Sequence, residues 1–170
     1  MSSARQAVQS IPLWTASYAG YAVVMLLLER KMHRTGGPGI IPFELAGNGA
    51  AAEAIMTQWG PDGRRAARWS LRLDFGYMLN YGVLTGLLLD RTARRNHHPR
   101  AVSSLVAAAV VSDAVEGVAL LRVLDHQDVE RNAVRARNAA VTKFALLGVC
   151  AGYLATFGIG RAWTRPLRQG

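Results

Sequence analysis

Four charged residues lie where the surrounding sequence is otherwise apolar: Asp74, Asp113, Glu116 and Lys143. Acids and a lysine held out of water can pair with one another, hold protons, or bind a polar group, and each is costly if left alone. Asp113 and Glu116 are three residues apart, which sets both on one face of a helix. Tyr77, Asn80 and Tyr81 continue the Asp74 face of a second helix and add hydrogen-bonding groups. Two readings follow. In one, the charges are a polar staple: Lys143 pairs with a carboxylate and Arg72 or Arg122 reaches another. In the other, they line a polar cavity open to one leaflet, for a lipid headgroup or a proton. A carboxylate pair becomes a general acid and base only with a substrate within reach, so no catalytic residue is assigned.

The remaining motifs narrow the chemistry. A single cysteine, Cys150, excludes an intramolecular disulfide framework, a CxxC motif and a cysteine-rich zinc site. Redox chemistry of the vitamin K reductase kind goes with them. His97-His98 has no further ligands nearby for a metal, which points to solvent exposure and no metal site. There is no phosphate-binding glycine loop, GxSxG or HExxH, and no cofactor is implied. The net charge is +9 and the pI about 10.8. Without basic patches interleaved with aromatics this speaks against nucleic acid and for anionic lipid headgroups as the partner of the arginines.

The elements that must carry these residues are legible from hydropathy. The chain has 170 residues, 51% hydrophobic and 18% charged. The mean hydropathy of +0.12 hides long apolar blocks with charges between them. About 20 apolar residues cross a bilayer as a helix. Such blocks occupy 11–28, 71–89, 101–121 and 139–160. The first is too long and lacks the small-residue site of a cleaved leader, and it reads as a retained span. The expected fold is therefore all-α: one four-span membrane domain over 1–170, an integral four-helix bundle.

Between spans one and two, the expectation is a break at Gly36-Gly37-Pro38-Gly39 and then a short interfacial helix over 48–59, capped by Asn48. A turn at Gly60-Pro61-Asp62-Gly63 follows, with Asp62 capping the second span. The segment reads as a surface helix anchored at the headgroups by Trp59 and Trp69, or else as a lid or docking element. Gly82-x-x-x-Gly86 and Gly148-x-x-x-Gly152 are close-approach seams, for the bundle itself or for another membrane subunit. Four spans put both termini on one side with the 90–100 loop, and Arg91, Arg94, Arg95 and Arg100 of that loop, with Arg5, Arg161, Arg165 and Arg168 of the termini, mark that side as cytoplasmic.

Phe43-Glu44-Leu45-Ala46, Trp59-Gly60-Pro61, Leu73-Asp74-Phe75 with Tyr81, Asp113-Ala114-Val115-Glu116 with Leu120-Leu121, and Lys143-Phe144 form a set. Together they resemble a family of small four-span bacterial membrane proteins, mostly uncharacterised. The resemblance implies architecture in the bacterial inner membrane and no activity, and it adds weight to Asp74, Asp113, Glu116 and Lys143. The alanine- and arginine-rich usage is similar to that of actinobacterial proteins. By analogy with that setting, the expected role is a non-catalytic accessory subunit of a larger envelope complex, such as an Mce-type lipid importer. The alternative is a stand-alone lipid- or proton-handling protein or enzyme built on the charged cluster.

Overall fold

A computed structural model describes residues 11–99 and 101–159. Arg5, Arg100, Gly160, Arg161, Arg165 and Arg168 lie outside the described residues. Among the described residues the chain is helical throughout, with no strand. The helices are α1 (Ile11–Arg34), α2 (Ile40–Glu44), α3 (Gly49–Arg95), α4 (Val102–Leu124) and α5 (Val129–Tyr153), the last running on into a π-helical turn, Leu154–Ile159.

Three of these are long and apolar enough to cross a membrane: Ile11–Arg34, Val102–Leu124 and Val129–Gly158. The expected span over 71–89 falls in the second half of α3 and lacks their hydropathy, because Arg72, Asp74, Tyr77, Asn80 and Tyr81 interrupt it. Its position explains the difference. α3 packs against α1, α4 and α5 at once, so Tyr77, Asn80 and Tyr81 face other helices, while Arg72 is exposed. Polar residues within a bundle are tolerated on inward faces. α1 packs along α3, and α4 lies between α3 and α5.

The connection between α1 and the apolar half of α3 is a packed cap, not a helix lying on a surface. Asn48 caps α3 as expected, its Oδ1 accepting from the Ala51 amide at 2.8 Å. The Gly49 amide donates to Glu130 Oε2 at 2.6 Å, which ties the start of α3 to the start of α5. Ala52, Met56 and Trp59 are then buried with Met32, Phe43, Leu120, Val123 and Ala136 in one core. The interfacial role expected of Trp59 is thereby corrected: it is 1% exposed, packs tilted against Phe43 with ring centres 4.9 Å apart and donates its indole N–H to the Pro38 carbonyl. The turn before α2 wraps this ring. A Cβ on Gly37 would collide with Trp59, and one on Gly39 with Glu29, while Gly36 takes φ +87°. Glu29 in turn accepts from the Ile40 amide at 3.0 Å, fixing the start of α2.

The expected turn over 60–63 shrinks to a single residue. Gly60 alone leaves helical geometry, at φ 58° and ψ −165°, and Pro61 restarts the helix. Proline suits a first helical position because its missing N–H is not needed there. Asp62 is therefore inside the first turn of the second segment and is not its cap.

The two glycine pairs separate. A Cβ on Gly82 would stand 2.7 Å from Val110 Cγ2, and one on Gly86 3.6 Å from Val106 Cγ1, so this pair seats α3 against α4. Around Gly148 and Gly152 nothing lies within 4 Å. Gly82→Leu should therefore destabilise by about 1–3 kcal/mol through overpacking, while Gly148→Leu changes stability by less than about 0.5 kcal/mol. Thermal unfolding in detergent checks the order, and equal losses would mean that both pairs face inward.

Candidate functional site

The charged residues converge beneath the cap. Each turn of helix advances the chain by about 5.4 Å, so Asp113 and Glu116, three residues apart on α4, meet the same partner on α5. That partner is Lys143, whose Nζ lies 3.0 Å from Asp113 Oδ1 and 2.7 Å from Glu116 Oε2. Tyr81 on α3 donates its hydroxyl to the other Asp113 oxygen at 2.7 Å. All four side chains are buried. Three helices are thus joined through one carboxylate and one ammonium.

A further acid completes the group, and sequence reasoning did not include it among the site residues. Glu44, at the end of the five-residue α2, brings its Oε2 to 3.8 Å from Lys143 Nζ. Burial pushes its carboxyl above the usual range, with Lys143 opposing that rise. Its only signal in sequence was its place in the Phe43-Glu44 pair. Phe43 is buried in the cap core, and the residue after it is thereby turned toward the bundle.

Asp74 lines the same cavity as Glu44, Asp113 and Lys143. Neither Arg72 nor Arg122 reaches the cluster. Arg72 is exposed, with its guanidinium 5.8 Å from the Trp69 ring centre, and Arg122 is exposed at the end of α4. Lys143 stands where those arginine partners were expected. Trp69, unlike Trp59, is 52% exposed.

Tyr77 and Asn80 belong to a different contact from the one the Asp74 face suggested. Tyr77 donates to the Tyr18 hydroxyl at 2.8 Å, the two rings stacked at 5.1 Å, and Asn80 Nδ2 donates to Ser17 Oγ. These bonds fasten α1 to α3. The Tyr77 ring also lies 5.9 Å from that of Tyr81, which makes a line of tyrosines from α1 to the charged cluster.

A cavity of about 550 Å³ opens above these groups. Its polar end holds Glu44, Asp74, Asp113 and Lys143, and its apolar end holds Leu84, Leu88, Leu147 and Leu154. Tyr18 and Met25 of α1 form one wall and Phe144 and Ala151 of α5 the other. The volume is within the roughly 300–1,000 Å³ common for small-molecule sites. At the far end of the bundle His98 is half-buried and not simply solvated: its Nδ1 lies 2.8 Å from the Tyr153 hydroxyl, and its ring packs edge-on against Phe157. Among the described residues no group of three or more metal-ligating side chains is arranged to hold an ion.

No family model, no curated protein and no solved structure matches this chain.

Two measurements follow from the cluster. Lys143→Met leaves several buried carboxyls without their cation and should cost about 3–5 kcal/mol, with part of the loss recovered on adding Glu116→Gln. Thermal unfolding of the single and double variants checks this, and strict additivity would mean that the two groups do not interact. Glu44 gives a pH test. An acid raised in the folded state binds its proton more tightly there, so its contribution is most favourable below its ordinary value of 4.5 and falls as pH rises toward the raised value. Glu44→Gln should therefore lose less stability than the wild type between about pH 4.5 and 7. Parallel stability curves would refute that assignment.

Proposed function

We propose that this is a lipid-handling protein of the bacterial inner membrane that takes a chain-bearing molecule sideways from the bilayer, between α1 and α5. The observation that carries this reading is the cavity of about 550 Å³ with leucines at one end and Glu44, Asp74, Asp113 and Lys143 at the other. A hydrocarbon chain matches the first end and a polar head the second. Four carboxyls, counting Glu116, stand near one ammonium. The cluster is short of positive charge, which suits a cationic or hydroxyl-rich head and disfavours a phosphate.

The reading includes four spans, with 71–89 as the fourth and central one. Charged and aromatic residues at similar levels support it. Trp69 and Arg72 precede the apolar part of α3, Arg122 ends that of α4, and Asn138 precedes that of α5. Interfacial tryptophan and arginine are common at the edge of the hydrocarbon. Measured from these positions, Asp74, Asp113, Glu116 and Lys143 lie about 4–14 Å deep. Both termini are then cytoplasmic, with Arg91, Arg94 and Arg95 on that side.

Role as an accessory subunit of a larger membrane complex, of the lipid-importer kind, is a second reading. It is favoured by the Gly148 and Gly152 face, which has open space where a neighbouring helix could approach. The two readings are compatible, since a subunit can carry its own lipid site.

Ala151→Phe fills the cavity wall without touching a charge. The variant should fold as the wild type does and lose the lipid that the wild type retains through purification, read by mass spectrometry of the extracted protein. Retention of the same lipid in the same amount would rule out the cavity as its site.

A further inference from the structure

A second hollow lies on the opposite side of α5 from the cavity wall. Arg131 and Arg135 are one helical turn apart on α5 and so share a face. With Arg122 from the end of α4 they line a hollow of about 240 Å³, together with Gln127, Asp128 and Asn132. None of the three arginines is in an ion pair with a carboxylate among the described residues. The nearby acids are otherwise placed: Glu130 is taken by the Gly49 amide, and Asp125 by Arg68 at 2.6 Å. Asp128 is the only carboxylate lining the hollow, which leaves the face positive by two charges.

This hollow does not end at the arginines. Arg131 and Arg135 also line the head of a groove of about 700 Å³ that runs down between α4 and α5. Its sides are Val111, Ser112 and Val115 from α4 and Val134, Asn138, Ala139 and Thr142 from α5. Val111 is 63% exposed, although it lies in a helix long and apolar enough to cross a membrane. Arg135 and Arg131 lie about 12 and 18 Å along α5 from Lys143, above the apolar stretch that begins at Ala139. Positive charge therefore stands at the head of the groove, and Val111, Val115 and Ala139 give it apolar surface beyond the arginines.

We infer that the α4–α5 groove is a binding site for an anionic phospholipid, its phosphate on Arg122, Arg131 and Arg135 and an acyl chain along Val111, Val115 and Ala139. Guanidinium groups bind phosphate oxygens in bidentate geometry, and three from two helices surround a headgroup where a single arginine would only attract it. The site is lined by guanidinium groups where the cavity is lined by carboxyls, so the two select different heads.

The test uses the full-length protein in a neutral detergent, titrated with phosphatidylglycerol, phosphatidylcholine or inorganic phosphate while thermal unfolding is followed. Phosphatidylglycerol should raise the unfolding temperature of the wild type, and the other two should not. The triple substitution R122Q/R131Q/R135Q should weaken the phosphatidylglycerol response at least about tenfold, the loss of little more than one phosphate contact. R91Q/R95Q, at the other end of the bundle, should leave it unchanged. Val111→Trp, which blocks the groove and keeps every arginine, should weaken it too, so the inference is testable even if the triple variant folds poorly. Ala151→Phe should bind phosphatidylglycerol as the wild type does, which separates this site from the cavity. An equal response to phosphatidylcholine, a full response to inorganic phosphate alone, an equal loss in R91Q/R95Q, or a wild-type response in Val111→Trp would each overturn it.

Discussion

The ammonium of Lys143 is the point on which the bundle turns. It lies within 4 Å of carboxylates from α2 and α4, and Asp113 passes the contact on to Tyr81 of α3. Apolar faces in a low-dielectric setting can slide and rotate at little cost, because one hydrocarbon contact resembles another. A buried ion pair does not permit that freedom, since a misplaced helix would leave an uncompensated charge. Register between α3, α4 and α5 is therefore specified at one level. The Gly82 and Gly86 seam then lets α3 and α4 close below it.

The cap serves the same constraint from the other side. Trp59, held between Phe43, Gly37 and the Pro38 carbonyl, fixes the path of the chain from α1 into α2. That path ends at Glu44. A surface helix could not deliver a carboxylate to Lys143, whereas a packed one can. Removing water from the cap core also shields one end of the cluster, which strengthens each charge contact within it.

Three of the four apolar blocks were legible because a long apolar run makes a helix long and apolar enough to cross a membrane, whereas 71–89 is helical but lacks that hydropathy. The Asp113/Glu116 face was legible because helical geometry is local, and both residues do meet Lys143. What failed depended on tertiary packing. An amphipathic segment with a tryptophan reads equally well as a surface anchor or as a core element, and only the glycine turn folding over Trp59 decides it. Likewise Arg72 and Arg122 sit at plausible spacing from the acids, but side-chain direction sends them outward. Glu44 was hidden because a five-residue helix has no periodicity to read. Gly82/Gly86 and Gly148/Gly152 have the same spacing, and nothing within either motif says which pair faces a neighbour.

The distribution of charge carries the functional proposal one step further. Inside, four carboxyls gather around one lysine, and outside, three arginines gather around one aspartate. Had each set been there only to hold helices together, near-neutral pairing would have been the cheaper arrangement, as at Arg68–Asp125 or Arg94–Asp90. A carboxyl-rich set and a guanidinium-rich set, each at the head of a partly apolar channel, fit the two different heads proposed above. The α4–α5 pair separates the two channels, so a rigid Lys143 junction would keep the arginine-lined groove from collapsing into the carboxylate-lined cavity.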